Sequence, residues 1–164
     1  MKYGIFTKPV HVEKIVNYLN KYTKIKYIIT SDVDELTAYD YDIGVSYCWP
    51  KKIDESELQK RIWYNYHPGL LPKYKGMQSY ADAIRDEIEE YGVTLHRMTK
   101  EFDEGPILCI RKFKLHTIPT HTNELGNITH YYLFQLFKET IEALKFVPIN
   151  TEDFKKRCTV KQFL

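Results

Sequence analysis

The 164-residue chain is predicted to fold as a single α/β domain built on a mostly parallel, twisted sheet with helices on its faces. Three observations carry that prediction. Short β-rich runs alternate with segments of helical periodicity in the first part of the chain. The composition is 43% hydrophobic, enough for a core in a chain that buries roughly two-thirds of its unfolded surface. No linker, repeat or low-complexity tract divides the sequence.

Taken in order, residues 3–7 form an apolar strand closed by Lys8 and Pro9, after which Val12, Ile15, Val16 and Leu19 recur at helical spacing through Asn20. Residues 26–30 (KYIIT) and 43–47 (IGVSY) are two further strands. A brief polar helix over 54–60 leads into a strand at 62–66. Residues 78–90 then read as a helix carrying Ala81, Ala83 and Ile84, with the acidic run 86–90 as its solvated end and Gly92 as its stop. Strands follow at 93–98 and 107–115. Thr122 caps a last helix bearing Leu125, Ile128, Leu133, Leu136, Phe137, Ile141 and Leu144, an apolar stripe that serves as core or as a homodimer interface. Residues 1–146 make the domain and 147–164 a tail.

Composition excludes several classes. With 24 Lys+Arg against 22 Asp+Glu the net charge is only +2, and the basic residues sit in scattered pairs such as Lys51 and Lys52 or Lys155 and Lys156; a dedicated nucleic-acid binder would gather them. Cys48, Cys109 and Cys158 are odd in number and far apart, which implies neither a disulfide framework nor a thiolate zinc site, and Cys48 and Cys109 read as small hydrophobes on strands. His116 and His121 have no carboxylate or cysteine at ligand spacing, so no metal is expected. The sequence shows neither a signal-peptide pattern nor an apolar run of membrane-spanning length, and the expected location is the cytoplasm.

In open α/β sheets, ligands sit outside the carboxyl ends of the strands. Three segments qualify: 65–76, 96–105 and the corner 47–50. Along the strand that ends in YNYH, alternation points Asn65 and His67 to one side and Tyr66 to the other. Pro68, Gly69 and Pro72 then take the backbone out of the sheet and leave the polar pair uncovered. An amide and an imidazole so placed are a candidate oxyanion site with a proton-handling partner, or a histidine that simply anchors a loop. Asp103 would ordinarily be a turn former, but it falls between two strand ends of the same sheet, before the turn at Gly105 and Pro106.

The run Asn-x-His-Pro-Gly-Leu-Leu-Pro-x-Tyr-x-Gly from Asn65, then Gly-Val-Thr-Leu-His from Gly92, then Asp-x-Gly-Pro-Ile-Leu from Asp103, resembles the folate-dependent formyltransferases. That family includes glycinamide ribonucleotide formyltransferase, methionyl-tRNA formyltransferase, sugar-amine N-formyltransferases and formyltetrahydrofolate hydrolases. The likeness spans residues 42–144, and Asn65 and Asp103 stand 38 residues apart, as the family layout requires. The resemblance implies a Rossmann-like fold and a catalytic trio of Asn65, His67 and Asp103. It also implies a 10-formyltetrahydrofolate donor, its pterin held by the loop of Thr99, Lys100, Glu101 and Phe102 and by the corner of Tyr47, Cys48 and Trp49. His96 and Gly105 would support the site. Asn65 and a protonated His67 would donate hydrogen bonds to the oxyanion formed when an amine attacks, while Asp103 holds the imidazolium and moves the proton.

Two departures from the family bear on the acceptor. Only 64 residues precede Asn65, a nucleotide-binding half about one strand–helix unit short, and GIFTKPVHV has no counterpart of the glycine-rich loop that grips the acceptor phosphate in glycinamide ribonucleotide formyltransferase. The length also leaves no room for the C-terminal domain of methionyl-tRNA formyltransferases. The expected acceptor is therefore the amine of a nucleotide-linked amino sugar. A hydrolase that hands the formyl group to water, or a folate-binding protein without transferase activity, are the alternatives.

Overall fold

In the computed structural model, which describes residues 1–32, 35, 38–148 and 151–157, six strands form one sheet. They are β1 (Lys2–Thr7), β2 (Lys26–Thr30), β3 (Ile43–Tyr47), β4 (Ile62–His67), β5 (Glu90–Arg97) and β6 (Ile107–Lys114), in the order β2-β1-β3-β4-β5-β6. β1 pairs in parallel with β2 and β3, and β3 with β4. β4–β5 and β5–β6 are antiparallel. Parallel neighbours need a crossover, which helices α1 (Pro9–Tyr22) and α2 (Glu55–Lys60) supply; the antiparallel pair β5–β6 needs only the loop that carries Asp103.

Helices α3 (Ser79–Arg85), α4 (Thr122–Thr140) and α5 (Thr151–Arg157) complete the fold, with a 3₁₀ helix Ile141–Phe146 after α4. The larger core packs Leu125, Leu133, Leu136 and Phe137 of α4 and Ile15 and Leu19 of α1 against Tyr47, Tyr66 and Leu95. The apolar stripe of α4 is thus core except at Ile128, which is exposed. Phe154 of α5 is fully buried in the same cluster. A smaller cluster of Phe6, Tyr41, Ile53 and Trp63 forms separately. Alternation along β4 puts Trp63, Asn65 and His67 on one face of the sheet and Tyr64 and Tyr66 on the other.

Four expectations change. The helix predicted over 78–90 stops at Arg85, because Asp86 is drawn to Lys73 at 2.8 Å and to the Tyr74 hydroxyl at 2.9 Å, and Glu87 turns the chain with a φ of 50°. β5 therefore starts at Glu90, with Gly92 inside it beneath Leu70. The N-cap of α4 is His121, whose side chain makes no capping hydrogen bond, and Thr122 is the first helical residue. Cys48 lies not on a strand but just past β3, while Cys109 is a buried residue of β6; Cys158 lies outside the described residues. His116 and His121 are exposed. Among the described residues no helix is long and apolar enough to cross a membrane.

Candidate active site

Strand register assembles the site. Asn65 pairs with Ser46 of β3 on one side and with His96 of β5 on the other, so the three side chains emerge in a row. His96 Nδ1 donates to the Arg97 carbonyl at 3.0 Å, which leaves its Nε2 to accept from Asn65 Nδ2 at 3.1 Å. The same amide nitrogen donates to Asp103 Oδ1 at 3.3 Å. The amide of Asn65 is thereby held from two directions.

Two residues on, His67 is 4% exposed. Nε2 donates to the Tyr74 carbonyl at 2.7 Å, and Nδ1 lies 3.4 Å from Asp103 Oδ2. Gly69 makes this possible: a Cβ there would fall 2.6 Å from His67 Nε2 and 2.7 Å from the Tyr74 oxygen. Thr94 fastens the loop to β5, donating to the Gly69 carbonyl at 2.7 Å and accepting from Leu71 N–H at 3.2 Å.

Asp103 is the hub. Its backbone is left-handed (φ 54°), its side chain is buried, and its Oδ2 also accepts from Gly76 N–H at 2.8 Å. Gly105 lets the loop turn back this tightly, since a Cβ there would lie 1.7 Å from the Arg97 carbonyl oxygen. Burial works to raise the carboxyl of Asp103, but its contacts with His96, His67 and the Gly76 N–H together bring it below the usual carboxylate value. His67 moves down as well, burial outweighing the pull of Asp103 and of the Tyr74 carbonyl. At neutral pH the hub is a carboxylate facing a neutral imidazole.

Two clefts open on this network. A smaller groove is lined by Ser46, Trp49, Ile53, Met98 and the loop Thr99, Lys100, Glu101, Phe102. A larger cleft is lined by Lys8, Cys48, Pro50, His67, Met77, Tyr80 and His130. Trp49, Asn65, Phe102 and Asp103 line both.

The sequence profile of the formyl transferase family matches residues 32–131. The chain belongs to the formyl transferase family. A methionyl-tRNA formyltransferase of Lachnospira eligens is 30% identical over 125 residues, 74% of this chain and 40% of that protein. Another, from Thermotoga neapolitana, is 41% identical over 63 residues, 38% of this chain and 20% of its own length. The chain therefore spans two fifths or less of these curated relatives. Among solved structures, a 4-N formyltransferase from Francisella tularensis matches with a TM-score of 0.75 at 16% identity, over 99% of this chain and 72% of that one. The N-formyltransferase from Helicobacter canadensis in complex with folinic acid and dTDP-3-aminofucose gives 0.67 at 18% identity, over 99% and 67%. At those identities the likeness is one of fold.

In this member of the family, the residues expected around the pterin divide. Thr99, Lys100, Glu101, Phe102 and Trp49 line the smaller groove, whereas Cys48 lines the larger cleft. Tyr47 lines neither: paired with Tyr66, it points to the α4 side and is fully buried against Tyr66 and Phe137, the opposite face from Ser46 and Asn65. His67 also departs from the expected aim, because its Nε2 faces the Tyr74 carbonyl. Sequence reasoning did not single out the Tyr74 carbonyl, the Gly76 N–H or the Thr94 hydroxyl, since two are backbone groups and the third resembles any strand threonine. Lys8 and His130 were equally hidden, each looking like an ordinary helix-flank residue.

Proposed function

We propose that the protein transfers a formyl group from 10-formyltetrahydrofolate to an amine, with the donor in the smaller groove and the acceptor in the larger cleft. The observation that carries this reading is that the two clefts share Asn65 and Asp103 as a common wall. A donor and an acceptor placed in them would face each other across those two side chains, the geometry a bimolecular transfer needs.

The smaller groove suits a flat, hydrogen-bonding heterocycle: the Trp49 indole N–H is buried without a partner, and the 99–102 loop adds the backbone groups of a strand exit. Bound there, 10-formyltetrahydrofolate supplies an activated formyl group. Asn65 Nδ2 can pass one of its two N–H bonds to a carbonyl oxygen on which negative charge develops, and His96 keeps the amide turned for it. Asp103, a carboxylate at neutral pH, accepts a proton from the incoming amine. The Gly76 N–H holds Asp103 Oδ2, while His67, its Nε2 hydrogen spent on the Tyr74 carbonyl, would act as a second donor only after taking up a proton at Nδ1 or turning away from Tyr74.

For the acceptor we favour the amine of a nucleotide-linked amino sugar. The larger cleft offers Lys8 at its edge for a phosphate and Tyr80 and Met77 as apolar walls, and the sugar-type N-formyltransferases match this chain over almost its whole length. This chemistry belongs to a reduced, folate-containing compartment, the cytoplasm. Incubating the protein with the donor and a panel of nucleotide-linked amino sugars, with mass detection of one added formyl group, tests the reading. Formate release with no amine present would mark a hydrolase instead, and folinic acid binding without either product would mark a binding protein.

A further inference from the structure

A second polar cluster lies on the larger cleft, away from Asp103. His11 near the start of α1, Cys48 past β3 and His130 in α4 come from three distant segments, yet each offers one ligand atom and these atoms all lie within 4.8 Å of one another. A zinc ion bound at about 2.3 Å to sulfur and 2.0–2.1 Å to nitrogen keeps its ligand atoms roughly 3.3–3.7 Å apart, so side-chain adjustments of about an ångström would close the set. The two imidazole rings stand edge to face with centroids 5.1 Å apart. Among the described residues neither ring has a hydrogen-bond partner.

Two further observations mark the cluster as unfinished. The Tyr47 hydroxyl, next to Cys48, is buried with no hydrogen-bond partner, and the Tyr47 ring lies 5.4 Å from that of His11. Cys48 itself has a φ of 50°, a conformation in which a side chain costs roughly 1–2 kcal/mol and glycine costs little. A cysteine held in a glycine conformation stores strain for the sake of its thiol.

We propose that His11, Cys48 and His130 bind one zinc-class divalent cation at the floor of the larger cleft, with the fourth coordination position open to that cleft. Three protein ligands and an open position are the arrangement of sites where the metal takes an exchangeable ligand. Binding converts the Cys48 thiol to a thiolate and releases its proton to solvent. Lys8 on the same cleft and Lys14, over the Tyr47 ring at 5.5 Å, leave the filled site net positive, so the open position takes an anionic oxygen of phosphate or carboxylate type. Neither the metal site nor its open position rests on the transfer reading above. The expectation of no metal rested on His116 and His121 and on the wide spacing of the cysteines, Cys48 among them; the cluster is invisible in sequence because its members meet only through the fold.

Chelator-treated full-length protein titrated with cobalt(II) tests the site without folate or amine. One cobalt per chain is expected, with a near-ultraviolet thiolate-to-metal absorption band that zinc abolishes. Cys48→Gly, which suits the backbone there, should remove the band and weaken binding by roughly 100-fold or more while melting as a folded protein; His130→Gln should weaken binding comparably. His116→Gln combined with His121→Gln should change nothing. Inorganic phosphate should shift the cobalt spectrum of the wild type. Absence of the thiolate band, or unchanged binding in Cys48→Gly and His130→Gln, overturns the site; a spectrum indifferent to phosphate overturns the open anionic position.

Discussion

Around Asp103 the polar atoms are nearly all partnered: one carboxylate oxygen accepts from Asn65 and the other from the Gly76 N–H, Asn65 spends both amide hydrogens, both ring nitrogens of His96 are engaged, and His67 Nε2 donates to the Tyr74 carbonyl. Around Cys48, on the same cleft, the buried Tyr47 hydroxyl goes without. A satisfied network inside a protein is rigid and holds its groups in reacting geometry before any ligand arrives. An unsatisfied one leaves a cost that a ligand can remove. The Asp103 cluster is a preorganised site for chemistry, and the Cys48 cluster a site for something that binds.

The largest effect is expected from Asp103→Asn, which keeps the shape of the hub and removes its charge. Turnover in a formyl-transfer assay should fall by roughly 10³, within the range for loss of a positioned acid–base group, while circular dichroism shows an intact fold. Asn65→Ala should follow, at about 10²–10³ in kcat or about 2.7–4 kcal/mol, as for loss of one oxyanion donor. If Asn65→Ala kept wild-type kcat, the amide would be a structural partner of His96 and nothing more.

Gly105→Ala tests how the hub is held in place. A Cβ against the Arg97 carbonyl should displace the loop and cost about 1–3 kcal/mol in denaturant unfolding, with loss of folinic acid binding in calorimetry. Unchanged binding would mean that the loop does not line the donor groove. In the other cluster the sign reverses: Cys48→Gly should stabilise the metal-free protein by about 1 kcal/mol, read as a rise in Tm, because it relieves the left-handed strain. The smallest effect concerns pH. His67 titrates below its usual 6.5 in the folded protein, chiefly through burial, so the unfolded chain takes up that proton first. Stability should therefore fall as pH drops below 6.5, and His67→Gln should flatten that slope in melts run across pH 7 to 5. An identical slope in the variant would show His67 to be indifferent.

Asn65 and His67 were legible because a two-residue alternation followed by Pro-Gly is a local signal. β1 to β4 were legible for the same reason, each being a short apolar run between turn residues. The antiparallel return of β5 and β6 was not, since pairing direction depends on how the loops close, and Gly92 looked like a helix stop when it is a place where Leu70 packs on a strand. Asp103 was visible as a residue and not as a hub, because Gly76 N–H and Tyr74 C=O reach the network from a loop that the sequence shows only as a rim. The Cys48, His11 and His130 cluster had no local signature at all.

The central claim is that donor and acceptor meet across Asn65 and Asp103. Its most direct test uses a donor with an isotopically labelled formyl group, a nucleotide-linked amino sugar, and wild-type and Asp103→Asn proteins, with folinic acid affinity measured for both. The expected result is label on the amine with wild-type protein, transfer reduced by roughly 10³ in Asp103→Asn, and equal folinic acid affinity. Label transfer by Asp103→Asn at the wild-type rate would contradict the account.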